Sequence, residues 1–206
     1  MKNIKRLIFS ALLLLAICSP LAAYDYRDFE NHLFYWAYVA GKGWQGPSSH
    51  SNQGEVVGMP GESRAICGIM IWVDEFSPMI IDQGISYRVH MTHSYQERNW
   101  WGYKVTRHWS GWSEWNAHGN EAGMRKSNGD IDETYLVDGI EIKVENPVPE
   151  YAMSLATYSG AIGWQEVTSL SEPSGNVHIG IDTGGTGPIT GFMINVWGVG
   201  PGYLSL

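Results

Sequence analysis

The chain has 206 residues, a formal net charge of −8, and ten tryptophans and eleven tyrosines against only five phenylalanines. An acidic surface repels phosphate backbones, so nucleic acid is excluded as the expected partner. Of the two cysteines, Cys18 and Cys67, the first lies in the N-terminal segment described next, so no internal disulfide is expected.

Residues 1–23 read as an export signal. Lys2, Lys5 and Arg6 give a basic start, Leu7 to Ile17 is almost wholly apolar, and Pro20 with Leu21-Ala22-Ala23 offers a helix break and small residues for a signal peptidase. The apolar stretch falls short of the roughly 20 residues that a spanning helix needs. A lipid anchor at Cys18 is disfavoured by the bulky Ile17 before it. Cleavage after Ala23 leaves 183 residues, secreted or at the cell surface, with no transmembrane span expected. The three basic residues leave with the signal, taking the formal charge from −8 to −11. That length suits a single all-β domain over 24–206 with a core of its own.

Three units follow, at about 33–75, 85–146 and 151–198. Each opens on an alternating apolar run: Leu33 to Val39, Ile85 to Met91, Tyr151 to Tyr158. Each then carries a Gly-Trp pair, at Gly43-Trp44, Gly111-Trp112 and Gly163-Trp164. Each closes on a related phrase, at Gly68 to Val73, Gly139 to Val144 and Gly191 to Val196. In the clearest run Ile85, Tyr87, Val89 and Met91 share one face, and Ser86, Arg88 and His90 share the other, the period of a half-buried strand. The same period turns Ile69, Ile71, Val73, Ile140, Ile142, Val144, Phe192, Ile194 and Val196 inward. Met70 and Trp72 then point outward, where an overlying element or partner is expected. Asp74 to Pro78 and Asn146 to Pro149 read as connections, because proline ends ladder pairing.

From Tyr35 to Gly43 the count is 8 residues and from Met153 to Gly163 it is 10, whereas from Tyr87 to Gly111 it is 24. The middle copy therefore carries an insertion of about 14–16 residues between its first two strands. Insertions of this kind land in loops, often on the binding face. The expected fold is all-β with three pseudo-equivalent repeats, prism-like, with a β-trefoil as the alternative.

The alternating strand, the Gly-Trp element, a Gly-centred turn and the closing Gly-Ile-x-Ile-x-Val strand together resemble the clostridial hydrophobic repeat with conserved tryptophan (ChW). The matching residues in the second unit are Ile85 to His90, Gly111-Trp112-Ser113-Glu114-Trp115, Glu121-Ala122-Gly123 and Gly139 to Val144. In the first they are Gly43-Trp44-Gln45, Gly54 to Gly58 and Gly68 to Val73. The third has Gly163-Trp164-Gln165 and Gly191 to Val196 but lacks the Glu-x-x-Gly turn. The resemblance implies a secreted or surface-attached protein and carries over no catalytic residues.

The candidate binding residues are aromatic. Trp44, Trp112 and Trp164 are the repeat tryptophans; each either plugs its own core or stacks on a sugar ring, with Gln45 and Gln165 placed to bond hydroxyls. Trp100, Trp101, Tyr103, Trp109, Trp112 and Trp115 crowd the insertion and its exit, more aromatic surface than one loop buries. His90-x-x-His93 places its rings on opposite strand faces, and no carboxylate or cysteine completes a set with them and His108 nearby, so no metal or other cofactor is expected. Ser127 to Glu133 reads as a solvated acidic turn without EF-hand spacing. Asp182 to Gly187 reads as a hairpin lacking the lysine of a phosphate loop. No nucleophile motif occurs, and Cys67 reads as a buried small hydrophobe. The expected function is non-enzymatic, lectin-like recognition of extracellular polysaccharide or cell-surface glycan. The alternative is a surface that contacts a protein partner or a membrane interface.

Overall fold

The computed structural model describes residues 33–49, 55–73, 85–98, 100–145, 151–170 and 177–198. The expected export signal and both proline-bearing connections lie outside the described residues. Thirteen strands form the described part: β1 Leu33–Val39, β2 Gly43–Ser49, β3 Val57–Gly58, β4 Ile66–Val73, β5 Ile85–Arg98, β6 Lys104–Trp112, β7 Asn116–Ala117, β8 Glu121–Gly123, β9 Tyr135–Val144, β10 Tyr151–Ser159, β11 Gly163–Leu170, β12 Val177–Asp182 and β13 Ile189–Gly198. The fold is all-β, and no helix occurs among the described residues.

Three sheets repeat one plan, in the orders β2-β1-β4-β8, β6-β5-β9-β12 and β11-β10-β13-β3, with β7 added beside β5. In each, the alternating strand pairs antiparallel on one side with its hairpin partner and on the other with the closing strand. Tyr38 lies opposite Trp44 and Gly68, His90 opposite Trp112 and Gly139, Tyr158 opposite Trp164 and Gly191. A bulge follows each of those three residues on the closing side. The closing glycine is crowded in each sheet, by Ala122 and Ile131 at Gly68, by His90 and Trp112 at Gly139 and by Pro60 and Val56 at Gly191. A Cβ on Gly139 would stand 2.9 Å from the His90 Cβ and 3.2 Å from the Trp112 ring.

The fourth strand of each sheet comes from another unit. The first sheet takes β8 from the second unit, the second takes β12 from the third, and the third takes β3 from the first. The exchange closes a ring of three. The segments expected as Gly-centred turns, 54–58 and 121–123, end in these short exchanged strands, so that expectation is corrected. The third unit, which lacks the Glu-x-x-Gly signal, supplies the longest of them. Three separate ladders of this kind are compatible with a prism-like arrangement.

One hydrophobic cluster draws on all three sheets. Every inward position read from the alternation is buried, including Ile71, Ile142 and Ile194, which hold equivalent places. Two tyrosines tie the exchange together. Tyr35 donates to the Glu55 carbonyl at 2.6 Å, and Tyr87 to the Asn120 carbonyl, each just before the strand its unit gives away. Burial pushes both phenols up to about 12. The equivalent residue in the third unit is Leu155, opposite Ile194, two residues beyond Met153, so the span to Gly163 is 8 residues, as in the first unit.

Candidate functional site: the extended hairpin and the outer face of the second sheet

Tyr38 and Trp44 are six residues apart, as are Tyr158 and Trp164, whereas His90 and Trp112 are twenty-two apart, so the middle insertion is 16 residues. It does not form a loop. It lengthens β5 and β6 into a hairpin paired as far as Arg98 opposite Lys104, while β9 stops pairing at His93 opposite Tyr135. Beyond His93 no third strand pairs with the hairpin among the described residues, and Ser94 to Arg98 are exposed. The continuous β5–β6 ladder makes the ribbon, and Gly102, with φ of 83°, turns the chain at its tip.

The tip carries Trp100, Trp101 and Tyr103, which are 83%, 66% and 72% exposed. The two indole centroids lie 3.7 Å apart at 36°. At the base of the hairpin His93 stacks between Tyr95 at 5.3 Å and Tyr135 at 4.4 Å, and Trp109 meets Tyr135 edge-on at 5.3 Å. His93 Nδ1 donates to the Thr134 carbonyl at 2.8 Å. This aromatic brace holds the ribbon against the end of β9.

The repeat tryptophans are not core plugs. Trp44 and Trp164 lie edge-on to Tyr38 and Tyr158 on outer faces, and Trp164 is 46% exposed. Gln45 and Gln165 follow them directly in β2 and β11, so they leave the sheet on the opposite face. Gln45 Nε2 donates to the Trp44 carbonyl at 3.2 Å, and Gln165 Oε1 is buried without a hydrogen-bond partner among the described residues. Neither glutamine shares a surface with its tryptophan, which corrects that pairing.

Trp112 and Trp115 take part in a stack on the outer face of the second sheet. Arg88 lies 4.7 Å from both ring centroids, and Lys143 lies 4.2 Å from that of Trp115. Arg88 Nε also meets Glu141 Oε2 at 2.6 Å. Cations over indole faces are attracted to the ring quadrupole, so this stack serves the body of the protein first. Next to Trp112 the His90 Nδ1 meets Asp138 Oδ1 at 2.6 Å. An open pocket of about 200 Å³ beside them is lined by Trp112, Glu141, His178, Gly180, Ile181 and Asp182.

Local spacing around His90 and His93 does not reveal Asp138, which lies 48 residues away and meets His90 only across the ladder. A signal for this face was present in outward Arg88, His90, Glu141 and Lys143 on two strands of one repeat. His93 and His108 are elsewhere, on Thr134 and on Ser94 Oγ at 2.8 Å. The acidic turn is solvated and self-bonded: the Thr134 hydroxyl and amide hold the Asp132 carboxyl below its usual range. Outward Trp72 packs on Phe34 at 5.3 Å, and Met70 is half-buried. Cys67 is buried, and burial pushes its thiol up to about 12, so no thiolate nucleophile forms near neutral pH.

No family model, no curated protein and no solved structure matched this chain. The likeness to the ChW repeat rests on the residues quoted above.

Proposed function

We propose that this chain is a secreted or surface-attached, non-enzymatic recognition module that binds extracellular carbohydrate or cell-surface polymer through the aromatic tip of its middle hairpin. The observation that supports this best is the exposure of Trp100, Trp101 and Tyr103 together at the end of a ribbon that extends past the third strand. Indole and phenol rings offer flat apolar faces to the C–H faces of sugars, and their polar edges bond hydroxyls. Three large rings held in water on a folded strand pair cost hydration without giving core packing, which is the pattern of a contact surface. Trp44 and Trp164 are secondary stacking positions on the other two sheets, and several weak sites on one body gain by avidity on a polymer.

A second reading has its own support. Arg98 and Lys104 face each other at the last pair before the tip, so the aromatic end is locally basic in an acidic chain. Tryptophan and tyrosine flanked by cations suit a membrane interface. Retention of the purified chain on insoluble polysaccharides, peptidoglycan and arrayed glycans separates the two, run beside flotation with anionic vesicles. The carbohydrate reading predicts selective polysaccharide retention that weakens at least about tenfold when Trp100 and Trp101 become alanine, and is unchanged in Met70→Ala. Flotation without glycan retention would overturn it in favour of the membrane.

A further inference from the structure

The equivalent corner of the three sheets differs in chemistry. Three positions meet there: the residue opposite the repeat tryptophan, the residue before the closing glycine, and the exchanged-strand residue opposite that glycine. In the first sheet they are Tyr38, Cys67 and Gly123, and in the third Tyr158, Thr190 and Gly58. In the second they are His90, Asp138 and Asp182. Only in the second sheet do all three positions carry side chains of metal-ligand type.

The three side chains come together across the ladder. A ligand atom from each of the three lies within 4.8 Å of the other two. Asp138 is 1% exposed, yet only its Oδ1 is engaged, by His90; Oδ2 is buried with no hydrogen-bond partner among the described residues. A buried carboxylate oxygen without a donor is costly and calls for a positive group beside it. Asp182 is exposed and fixed in direction, because its Oδ1 accepts the Gly184 amide at 2.7 Å. Of the cations on this face, Arg88 is taken up by Glu141 and Lys143 lies over the Trp115 ring.

We propose that His90, Asp138 and Asp182 bind one divalent transition-metal cation of the zinc class. One imidazole nitrogen and two carboxylates suit zinc, whereas calcium takes an all-oxygen set. Ligand atoms around tetrahedral zinc stand roughly 3.3 Å apart, given bonds of about 2.0–2.1 Å, so small side-chain movements complete the set. The open pocket lined by Asp182 and Trp112 leaves room on the solvent side of Asp182 for a small exchangeable ligand. This site is independent of the hairpin tip and of the carbohydrate reading.

The test is uptake of Zn²⁺ alone by the chelator-treated full chain, measured by equilibrium dialysis and by calorimetric titration, with Ca²⁺ in parallel. One Zn²⁺ per chain is expected, with no stoichiometric Ca²⁺. Asp182→Asn keeps the oxygen that accepts the Gly184 amide, so it preserves the turn while weakening the metal ligand. It is expected to lower zinc affinity at least about tenfold. His178→Ala, four residues before Asp182 on the same face of β12 and paired opposite Lys143 rather than Gly139, is expected to leave affinity unchanged. Absence of stoichiometric zinc, affinity unmoved by Asp182→Asn, or loss in His178→Ala instead would each overturn the assignment.

Discussion

The middle hairpin and its two counterparts start from the same ladder and end differently. Around Tyr38 and Tyr158 the chain turns back within a few residues, and the sheet edge is short. Around His90 the same strands run on for 16 further residues, braced by Tyr135 and Trp109, and carry an aromatic tip beyond the body. The sheet plan tolerates this because the added pairs lie past the end of the closing strand and ask nothing of the core. The corner beneath, where the closing glycine leaves no space for a side chain, has no such freedom. One end of each sheet is therefore a frame and the other is open to elaboration.

Changes in the frame are the largest expected effects. Ile71→Ala, Ile142→Ala and Ile194→Ala, at equivalent buried positions, should each cost about 2–5 kcal/mol by chemical denaturation. A near-zero cost in one sheet would break the equivalence. Gly58→Ala should cost about 3 kcal/mol, because φ is +94° and the new Cβ would stand 2.5 Å from the Thr190 carbonyl oxygen. Gly163→Ala, equally left-handed but open to solvent, should cost about 1 kcal/mol.

The tyrosines come next. Tyr35→Phe and Tyr87→Phe should each lose about 1 kcal/mol of hydrogen bonding at neutral pH. In the fold both phenols keep their protons up to about 12, while an exposed tyrosine ionises near 10. Between those values the unfolded chain releases protons that the fold retains, so stability falls as pH rises through that window. Each phenylalanine variant should show a shallower fall, read from midpoints at pH 9 and 11. A slope unchanged in both variants would place the alkaline sensitivity elsewhere.

At the tip the expected change in stability is smallest. Trp100→Ala and Trp101→Ala should shift unfolding by less than about 0.5 kcal/mol, since neither ring packs into the core. A loss of several kcal/mol would mean that the tip belongs to the frame.

Much of the frame was legible from alternation alone. The inward faces of the closing strands, the outward direction of Arg88 and His90, and the size of the insertion all follow from period two and from residue counts. The exchange of β3, β8 and β12 was not legible, because two- or three-residue strands carry no period and alternation gives a face but never a partner. Glu121-Ala122-Gly123 reads as a turn until its pairing with Gly68 to Met70 is known. The His90–Asp138 contact was hidden for the same reason: it forms across a ladder, and local spacing around the histidine contains no trace of it. At the tip, composition pointed to exposed aromatics; that a paired ribbon rather than a loop presents them emerged only from the pairing of Arg98 with Lys104.

The most direct test of the central claim removes the tip and keeps the frame. Replacing residues 94–108 by Asn-Gly closes β5 and β6 with a two-residue turn at the His93–Trp109 pair; it removes Tyr95 from the brace and keeps the His93 and Trp109 contacts with Tyr135. Retention of this variant on the polysaccharide that holds the parent chain, with its unfolding midpoint measured beside it, decides the matter. A folded variant that no longer binds is the predicted result. A folded variant that binds as well as the parent would contradict the account and move recognition to the body of the three sheets.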